Sequence, residues 1–168
     1  MSDYATPARI AIALRQAGAN VEKPVLDFGC GTGVSGMALK SVGFDVVDGT
    51  DLVAENVEAA QASGAYRQVW LGVESRAGHV RRGDYQVITA CDVIHGGEAT
   101  PETFDVLLGI LAPGGFLALS MDDAALNDRT YSDRLDIAAL DPKLEQMFEA
   151  DGPHRDGENA TVFVFKRH

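Results

Sequence analysis

Cysteine is scarce in this chain, and long apolar runs and basic residues are few. The 168 residues include two cysteines, Cys30 and Cys91, and four histidines, and none of them follows a metal-ligand spacing. We therefore expect reduced thiols and no metal site. No apolar run approaches the ~20 residues that span a bilayer, and the N-terminus has no signal-peptide pattern. These scarcities predict a cytoplasmic protein without a membrane span.

The acidic balance of the chain limits its partners. The sequence has 14 basic and 25 acidic residues, a net charge of −11. Such a surface repels phosphate backbones and anionic headgroups, so we expect neither nucleic acid nor a membrane as partner. Arg76, Arg81 and Arg82 form the one dense basic group, which we interpret as a solvated loop. The length and the 46% hydrophobic content favour one globular domain over residues 1–168.

The most informative segment is Val-Leu-Asp-Phe-Gly-Cys-Gly-Thr-Gly at residues 25–33. An apolar strand there enters a loop with three alternating glycines, and a helix follows. Glycine adopts backbone angles that other residues avoid, and its missing Cβ lets a ligand approach the main chain. A strand, loop and helix of this kind hold nucleotide-type ligands.

Two ligands fit this loop. Residues 31–36, Gly-Thr-Gly-Val-Ser-Gly, match the dinucleotide fingerprint, and Asp51 follows at the distance of a ribose-binding acid. However, Asp27 would repel a pyrophosphate. S-adenosylmethionine has no phosphate, and its amino group and sulfonium suit Asp27, so we favour it over NAD. Alternatively, Asp27 accepts hydrogen bonds from nearby backbone N–H groups, and Asp51 caps the next helix.

Residues 25–33 also resemble motif I of the class I S-adenosylmethionine-dependent methyltransferases. Later segments agree with that family in order and spacing: residues 46–52 resemble the end of its second strand, 84–90 its fourth strand and 111–117 the turn into its fifth. Three short stretches are similar to the subgroup that includes the methyltransferase-like protein of the Williams–Beuren syndrome region, at residues 48–51, 64–67 and 94–97. The resemblance covers nearly the whole chain.

The resemblance implies an α/β fold, a Rossmann-like and mostly parallel sheet of order 3-2-1-4-5-7-6 with its last strand antiparallel and helices on both faces. The sequence pattern predicts strands at Val25–Phe28, Phe44–Val47, Tyr66–Leu71, Tyr85–Ala90, Phe116–Ser120, Leu144–Ala150 and Ala160–Arg167. It predicts helices from Pro7 to Ala17, Val34 to Val42, Val53 to Ala62, Pro101 to just before Pro113, and Asp122 to Ala139, the last with a break near Thr130. Ligands of such sheets bind at the carboxyl edge.

The resemblance also implies which residues hold the cofactor. They are Asp27, Gly29, Cys30, Gly31, Gly33, Asp51, Leu52, Val73, Glu74, Cys91 and Asp92. Asp51 is expected to accept hydrogen bonds from both ribose hydroxyls, and Leu52 to flank the adenine. Relatives carry an acid after the third strand that contacts the adenine amino group, and here either Glu74 or backbone groups are expected to replace it. For Gly36 we favour close packing of its helix on the sheet.

His95 follows the fourth strand and is the candidate catalytic base. It is the one residue there whose ordinary pKa suits proton transfer near neutral pH. Alternatively, it hydrogen-bonds a loop carbonyl, while Asp92 orients the substrate. Methyl transfer needs mainly alignment, so the reaction can proceed without a base. Relatives that methylate nucleobases or amides often carry a Pro-Pro-Tyr-type motif at this position, which is absent here, so we expect a small-molecule acceptor.

Two other functions stay open. A module that binds S-adenosylmethionine without turnover is favoured by the few residues ahead of Pro7, since relatives use extra N-terminal helices to close the pocket. A partner chain, for example in a homodimer, would be another way to close it. An NAD-dependent oxidoreductase fits less well because of Asp27.

Overall fold

The computed structural model describes residues 3–73, 78–95 and 101–168. Seven strands form one sheet in the order β3-β2-β1-β4-β5-β7-β6, and β7 is antiparallel to both of its neighbours. The strands are β1 (Val25–Phe28), β2 (Val47–Asp51), β3 (Gln68–Leu71), β4 (Tyr85–Ile94), β5 (Leu111–Asp122), β6 (Leu144–Pro153) and β7 (Asn159–Arg167). The helices are α1 (Thr6–Gln16), α2 (Val34–Ser41), α3 (Ala54–Ala62), α4 (Glu102–Ile110), α5 (Asp123–Asn127) and α6 (Arg129–Leu140). The predicted sheet order and antiparallel last strand are confirmed.

Neighbouring residues of the central strands pack into opposite apolar layers. In β1, Val25 packs with α1 and α2, whereas Leu26 packs with α4, α5 and α6. Val87 and Ile88 of β4 divide in the same way. Parallel strands buried on both faces read as continuous apolar runs, and the helices cover both faces as predicted. No helix in the described ranges is long and apolar enough to cross a bilayer.

The second strand lies later in the chain than the sequence pattern predicts. The prediction of Phe44–Val47 is wrong, because β2 spans Val47–Asp51. Phe44 is buried beside the end of α2 instead. The pattern placed the strand too early because only one of the five residues of β2, Val47, is apolar. Its Asp48 is a wholly buried carboxylate, which the Arg67 guanidinium neutralises. A paired charge is tolerated inside a sheet, where an unpaired one would be costly.

The strands next to the switch in strand order are longer than predicted. β4 does not end at Ala90 but continues to Ile94, with a register shift against β5 between these two residues. Asp92 lies in that bulge at a φ of 56°, a left-handed conformation that few non-glycine residues adopt. β5 begins at Leu111 and includes the Pro113-Gly114-Gly115 turn. Consequently Cys91 and Asp92 belong to the strand and not to the loop after it.

The long helix predicted at Asp122–Ala139 is two helices. They separate at Asp128, whose Oδ1 accepts a hydrogen bond from the backbone N–H of Thr130 at 2.9 Å and caps α6. The break therefore comes slightly before the expected position. Pro101 precedes α4 rather than starting it, and Thr100 lies outside the described residues. β3 begins two residues later than predicted.

The chain's first helix is attached to its last hairpin. The Arg9 guanidinium donates hydrogen bonds to the carbonyls of Ala150, Pro153 and Ala160, at 2.8, 3.0 and 2.9 Å. The Arg9 side chain thereby satisfies three backbone carbonyls near the turn of the β6–β7 hairpin. Just ahead of the helix, the N–H of Ala5 bonds the carbonyl of His154 at 2.8 Å. The segment before α1 thus lies against the loop that joins β6 to β7.

Candidate functional site

The glycine-rich loop follows β1 and leads into α2. Gly29, Gly31 and Gly33 have φ values of 71°, 55° and 106°, which side chains disfavour. The backbone N–H groups of Gly29 and Cys30 both bond the carbonyl of Thr50, at 2.8 and 3.0 Å. The loop is therefore tied to β2, as expected for a cradle formed by two adjacent strand ends.

The three glycines differ in what surrounds them. A Cβ on Gly29 would lie 2.4 Å from Val93 Cγ2, and one on Gly33 would lie 2.9 Å from Ser63 Oγ. A Cβ on Gly31 would meet nothing within 4 Å. Gly29 and Gly33 are thus required for packing as well as for backbone angle, whereas Gly31 adjoins open space that a ligand can enter.

Asp51 closes this open part of the loop from the end of β2. Its Oδ2 accepts a hydrogen bond from the N–H of Gly31 at 2.9 Å, and its Oδ1 accepts from Val53 N and Asn56 Nδ2 at 2.9 and 3.1 Å. An ionised carboxylate offers about four acceptor positions, so the protein leaves about one free. The alternative role of a cap for α3 is wrong, because the N-cap residue is Val53 and no side chain caps the helix there. Asp51 instead holds the turn ahead of α3 through Val53 N and Asn56 Nδ2.

Asp27 lies beneath the loop and is fully buried. Three side-chain hydroxyls donate hydrogen bonds to its carboxylate: Ser35 Oγ at 2.5 Å, Tyr66 Oη at 2.7 Å and Thr89 Oγ1 at 2.9 Å. Backbone N–H groups, the alternative partners that the sequence allowed, do not appear among its described contacts. Burial raises the pKa of Asp27, and the three hydroxyls oppose that rise only in part.

Tyr66 is a site residue that the sequence analysis did not single out. Its hydroxyl accepts a hydrogen bond from the N–H of Gly36 at 3.0 Å while donating to Asp27. A Cβ on Gly36 would lie 2.3 Å from the Tyr66 ring. Close packing at Gly36 is thus confirmed, and the packing partner is this tyrosine. In the sequence, only the similarity of residues 64–67 to a methyltransferase subgroup pointed to Tyr66.

Exposed apolar side chains follow β2 and β3 at the carboxyl edge. Leu52 and Val73 are each 57% exposed, and Val53 adjoins them at 46%. Such side chains at the end of a sheet can cover a flat, apolar ring. By contrast, Cys30 and Cys91 are buried, and burial raises the pKa of each thiol to about 12.

Some predicted residues lie outside the described residues. Glu74 and Arg76 are among them, so their roles stay predictions. Arg81 and Arg82 are exposed in the turn before β4, which agrees with the interpretation of a solvated loop.

Asp92 marks the far side of the site, where β4 ends. The next residue along, Val93, packs against Gly29 of the loop. The Asp92 carboxylate pairs with the Arg155 guanidinium, and His154 Nε2 lies 3.5 Å from its other oxygen. The guanidinium also lies 4.0 Å above the Tyr4 ring. The segment ahead of α1 therefore reaches this edge through Tyr4.

His95 directly follows β4 and is half-buried. It lies on the same strand end as Asp92, three residues on. The two predicted acceptor-side residues are thus brought to one edge of the sheet, next to the loop. A catalytic role for His95 stays a prediction.

Comparison with known proteins gives one family and one fold. A family model described as a methyltransferase domain matches residues 4–157. Magnesium protoporphyrin IX methyltransferase from Synechocystis PCC 6803, solved with bound S-adenosylmethionine, is 19% identical with a TM-score of 0.72, over 97% of this chain and 78% of that one.

Two further solved structures have the same fold. A TehB-like S-adenosylmethionine-dependent methyltransferase from Corynebacterium glutamicum is 20% identical with a TM-score of 0.69, over 98% of this chain and 88% of that one. An rRNA methylase from Streptococcus thermophilus is 13% identical with a TM-score of 0.71, over 96% of each chain. These structures include both a porphyrin methyltransferase and an rRNA methylase, so similarity to them does not identify the methyl acceptor of this chain.

Proposed function

The chain belongs to the methyltransferase-domain family, whose model matches nearly its whole length, and on that basis we propose that it transfers a methyl group from S-adenosylmethionine to a small molecule. The observation that carries the proposal is the loop at Gly29–Gly33, in which open space at Gly31 adjoins the Asp51 carboxylate. An acid at the end of β2 and a gap without Cβ atoms together suit a nucleoside with a charged tail. We treat residues 1–168 as one such domain.

The cofactor would be held by residues from four strand ends. Gly29, Gly31 and Gly33 would admit its methionyl part, and Asp51 would accept hydrogen bonds from its ribose. The remaining contacts would come from Cys30, Leu52, Val73, Glu74, Cys91 and Asp92, whereas Asp27, which is fully buried, would act on the cofactor through its charge. Because the Asp51 carboxylate has about one free acceptor position, binding both ribose hydroxyls requires the Asn56 amide to turn away. Cys30 and Cys91 would contribute main-chain contacts, since their side chains are buried.

Bound S-adenosylmethionine would supply the methyl group of its sulfonium, and S-adenosylhomocysteine would leave as the acceptor's nucleophile bonds the methyl carbon in line. The chain's own residues would supply alignment and exclude water at the end of β4, where Asp92, Arg155 and Tyr4 form one wall. His95 would accept a proton from an acceptor whose nucleophile is protonated. The His95→Gln variant would then lose turnover about 10²–10⁴-fold at unchanged cofactor affinity.

The acidic character of the chain supports a small-molecule acceptor over a nucleic acid. A net charge of −11 opposes a phosphate backbone. The resemblance to the Williams–Beuren subgroup adds no acceptor chemistry. We propose a soluble, cytoplasmic enzyme, and a homodimer is one arrangement that would add a further wall to the pocket.

Calorimetric titration with S-adenosylmethionine, S-adenosylhomocysteine and NAD in parallel tests the proposal. We expect micromolar binding of the first two and no heat from NAD. Binding of NAD alone would contradict the methyltransferase assignment. Binding of S-adenosylmethionine with no turnover on a broad panel of small nucleophiles would favour the non-catalytic module.

A further inference from the structure

Asp27 is a buried carboxylate whose described hydrogen-bond partners are all hydroxyl groups. They come from three elements: Ser35 in α2, Tyr66 just ahead of β3, and Thr89 in β4. No basic side chain pairs with it in the described ranges. Its charge therefore depends on these three donors and on whatever positive charge enters the loop above it.

Of the three donors, Tyr66 is held by its ring and by its hydroxyl. Its ring fills the space over two glycines, since a Cβ would lie 2.3 Å from it at Gly36 and 2.9 Å at Gly49. Its hydroxyl is fixed from the other side by the N–H of Gly36, at 3.0 Å. The hydroxyl oxygen cannot move away from Asp27 without leaving that N–H unsatisfied, which is unfavourable in a partly buried place.

Resting on the proposed function, we propose that Tyr66 is a positioning residue that keeps the Asp27 carboxylate charged, and that this charge makes the loop prefer the cationic methyl donor to its neutral-sulfur product. S-adenosylmethionine and S-adenosylhomocysteine differ by one methyl group and one positive charge. A buried negative charge behind the loop acts on that difference, while hydrogen bonds to the shared parts act on both ligands. The ratio of the two affinities therefore reports on the negative charge around the sulfonium, and the change of that ratio in variants of the Asp27 donors reports on the charge of Asp27.

Burial raises the pKa of Asp27, and the Tyr66 hydroxyl opposes that rise. Removing the hydroxyl should move the pKa further up, so the variant carries less charge on Asp27 at a given pH. The titratable groups around it are Asp51, Tyr66, Cys30 and Cys91. The two thiols have pKa values of about 12 and the pKa of Tyr66 is also raised, so these three stay neutral near neutral pH.

The test is calorimetry of the full chain with both ligands across a pH series. We expect Tyr66→Phe to lower the preference for S-adenosylmethionine about three- to tenfold near neutral pH, and the preference to return as pH rises. Tyr85→Phe is the matched control, because Tyr85 donates to the buried carboxylate of Asp48 at 2.6 Å on the opposite face of the sheet. It should leave the affinity ratio and its pH profile unchanged.

Two further variants keep the proposal testable. Thr89→Val removes another donor to Asp27 and should change the ratio in the same direction, even if Tyr66→Phe does not fold. In an Asp27→Asn background, Tyr66→Phe should alter the ratio no further. An unchanged ratio in folded Tyr66→Phe, or an equal change in Tyr85→Phe, would overturn the inference. If the unsubstituted chain binds neither ligand, the proposed function fails instead.

Discussion

Two carboxylates near the loop have opposite surroundings. Asp27 is wholly buried and receives hydrogen bonds only from hydroxyls, whereas Asp51 is partly exposed and receives them from two backbone N–H groups and an amide. Asp27 can influence a ligand only through the electric field of its charge. Asp51 can touch one, because an acceptor position on it is still free.

Replacing Asp51 tests its contact with the cofactor. Asp51→Asn should weaken S-adenosylmethionine binding by about 1–3 kcal/mol, since charge-assisted hydrogen bonds are lost. Titration calorimetry measures this directly. Asp84→Asn is a control, because Asp84 likewise accepts from a backbone N–H, that of Arg81 at 2.8 Å, in an exposed turn before β4. Unchanged affinity in a folded Asp51→Asn would remove Asp51 from the site.

Two helical glycines should respond in opposite ways to an added methyl group. Gly36→Ala should lower the free energy of unfolding by about 1–3 kcal/mol, because its Cβ would overlap the Tyr66 ring. Gly109→Ala, in α4, meets nothing within 4 Å and should raise it by about 0.5–1 kcal/mol. Urea unfolding of both variants checks the signs. A neutral Gly36→Ala would mean that the ring can move aside.

Individual residues of the site were predictable only where the local sequence decides their geometry. The glycines at 29, 31 and 33 do have the left-handed backbone angles that their spacing implies. The partners of Asp27 were not predictable, because Tyr66 and Thr89 lie 39 and 62 positions away in the chain. The pairing of Asp92 with Arg155 spans 63 positions, so no short-range pattern signals it.

Among the elements, β2 contains a buried charge, that of Asp48, whereas a charged residue in a sequence pattern normally indicates a surface position. Asp48 receives hydrogen bonds from Arg67, Tyr85 and Gln68, and so joins β2 to its neighbour β3 and to the start of β4. Burial alone would raise the pKa of Asp48, but these bonds and the Arg67 charge outweigh it and lower the pKa. β1 also contains a buried carboxylate, Asp27, but three of its four residues are apolar, and it was predicted correctly to the residue.

Acid titration of stability tests this account of Asp48. Because its folded pKa lies below the ordinary value of about 3.9, its contribution is fully present above about pH 4 and is lost as pH falls through the folded pKa. Asp48→Asn should therefore flatten the acid limb of the free energy of unfolding, measured by urea unfolding at successive pH values.

The matching variant of Asp27 should act in the opposite direction. The folded pKa of Asp27 is raised, so ionisation of the unfolded chain lowers stability as pH rises above about 4, up to the folded pKa. Asp27→Asn removes that loss.

Parallel curves for the unsubstituted chain and Asp48→Asn would show that the Asp48 pKa is not depressed.

At the scale of the whole molecule, the acidic surplus should make stability depend on salt. With 25 acidic and 14 basic residues, the folded chain repels itself, and added ions screen that repulsion. We expect sodium chloride, raised from low to about 0.5 M, to stabilise the fold by about 1 kcal/mol, or roughly 2–4 °C in Tm. Thermal unfolding measures it. A Tm that falls with salt would indicate that the described ion pairs outweigh the repulsion.

The attachment of α1 to the last hairpin has a consequence for synthesis. Arg9 bonds carbonyls that lie 141 to 151 positions further along the chain, and Ile10 and Leu14 share an apolar layer with Val162 and Val164 of β7. A ribosome adds about 5–20 residues per second, so α1 waits roughly 7–30 s for its final partners. During that interval the part of its apolar side that β7 covers is open to chaperones, and the nascent chain cannot complete this layer until β7 has left the exit tunnel.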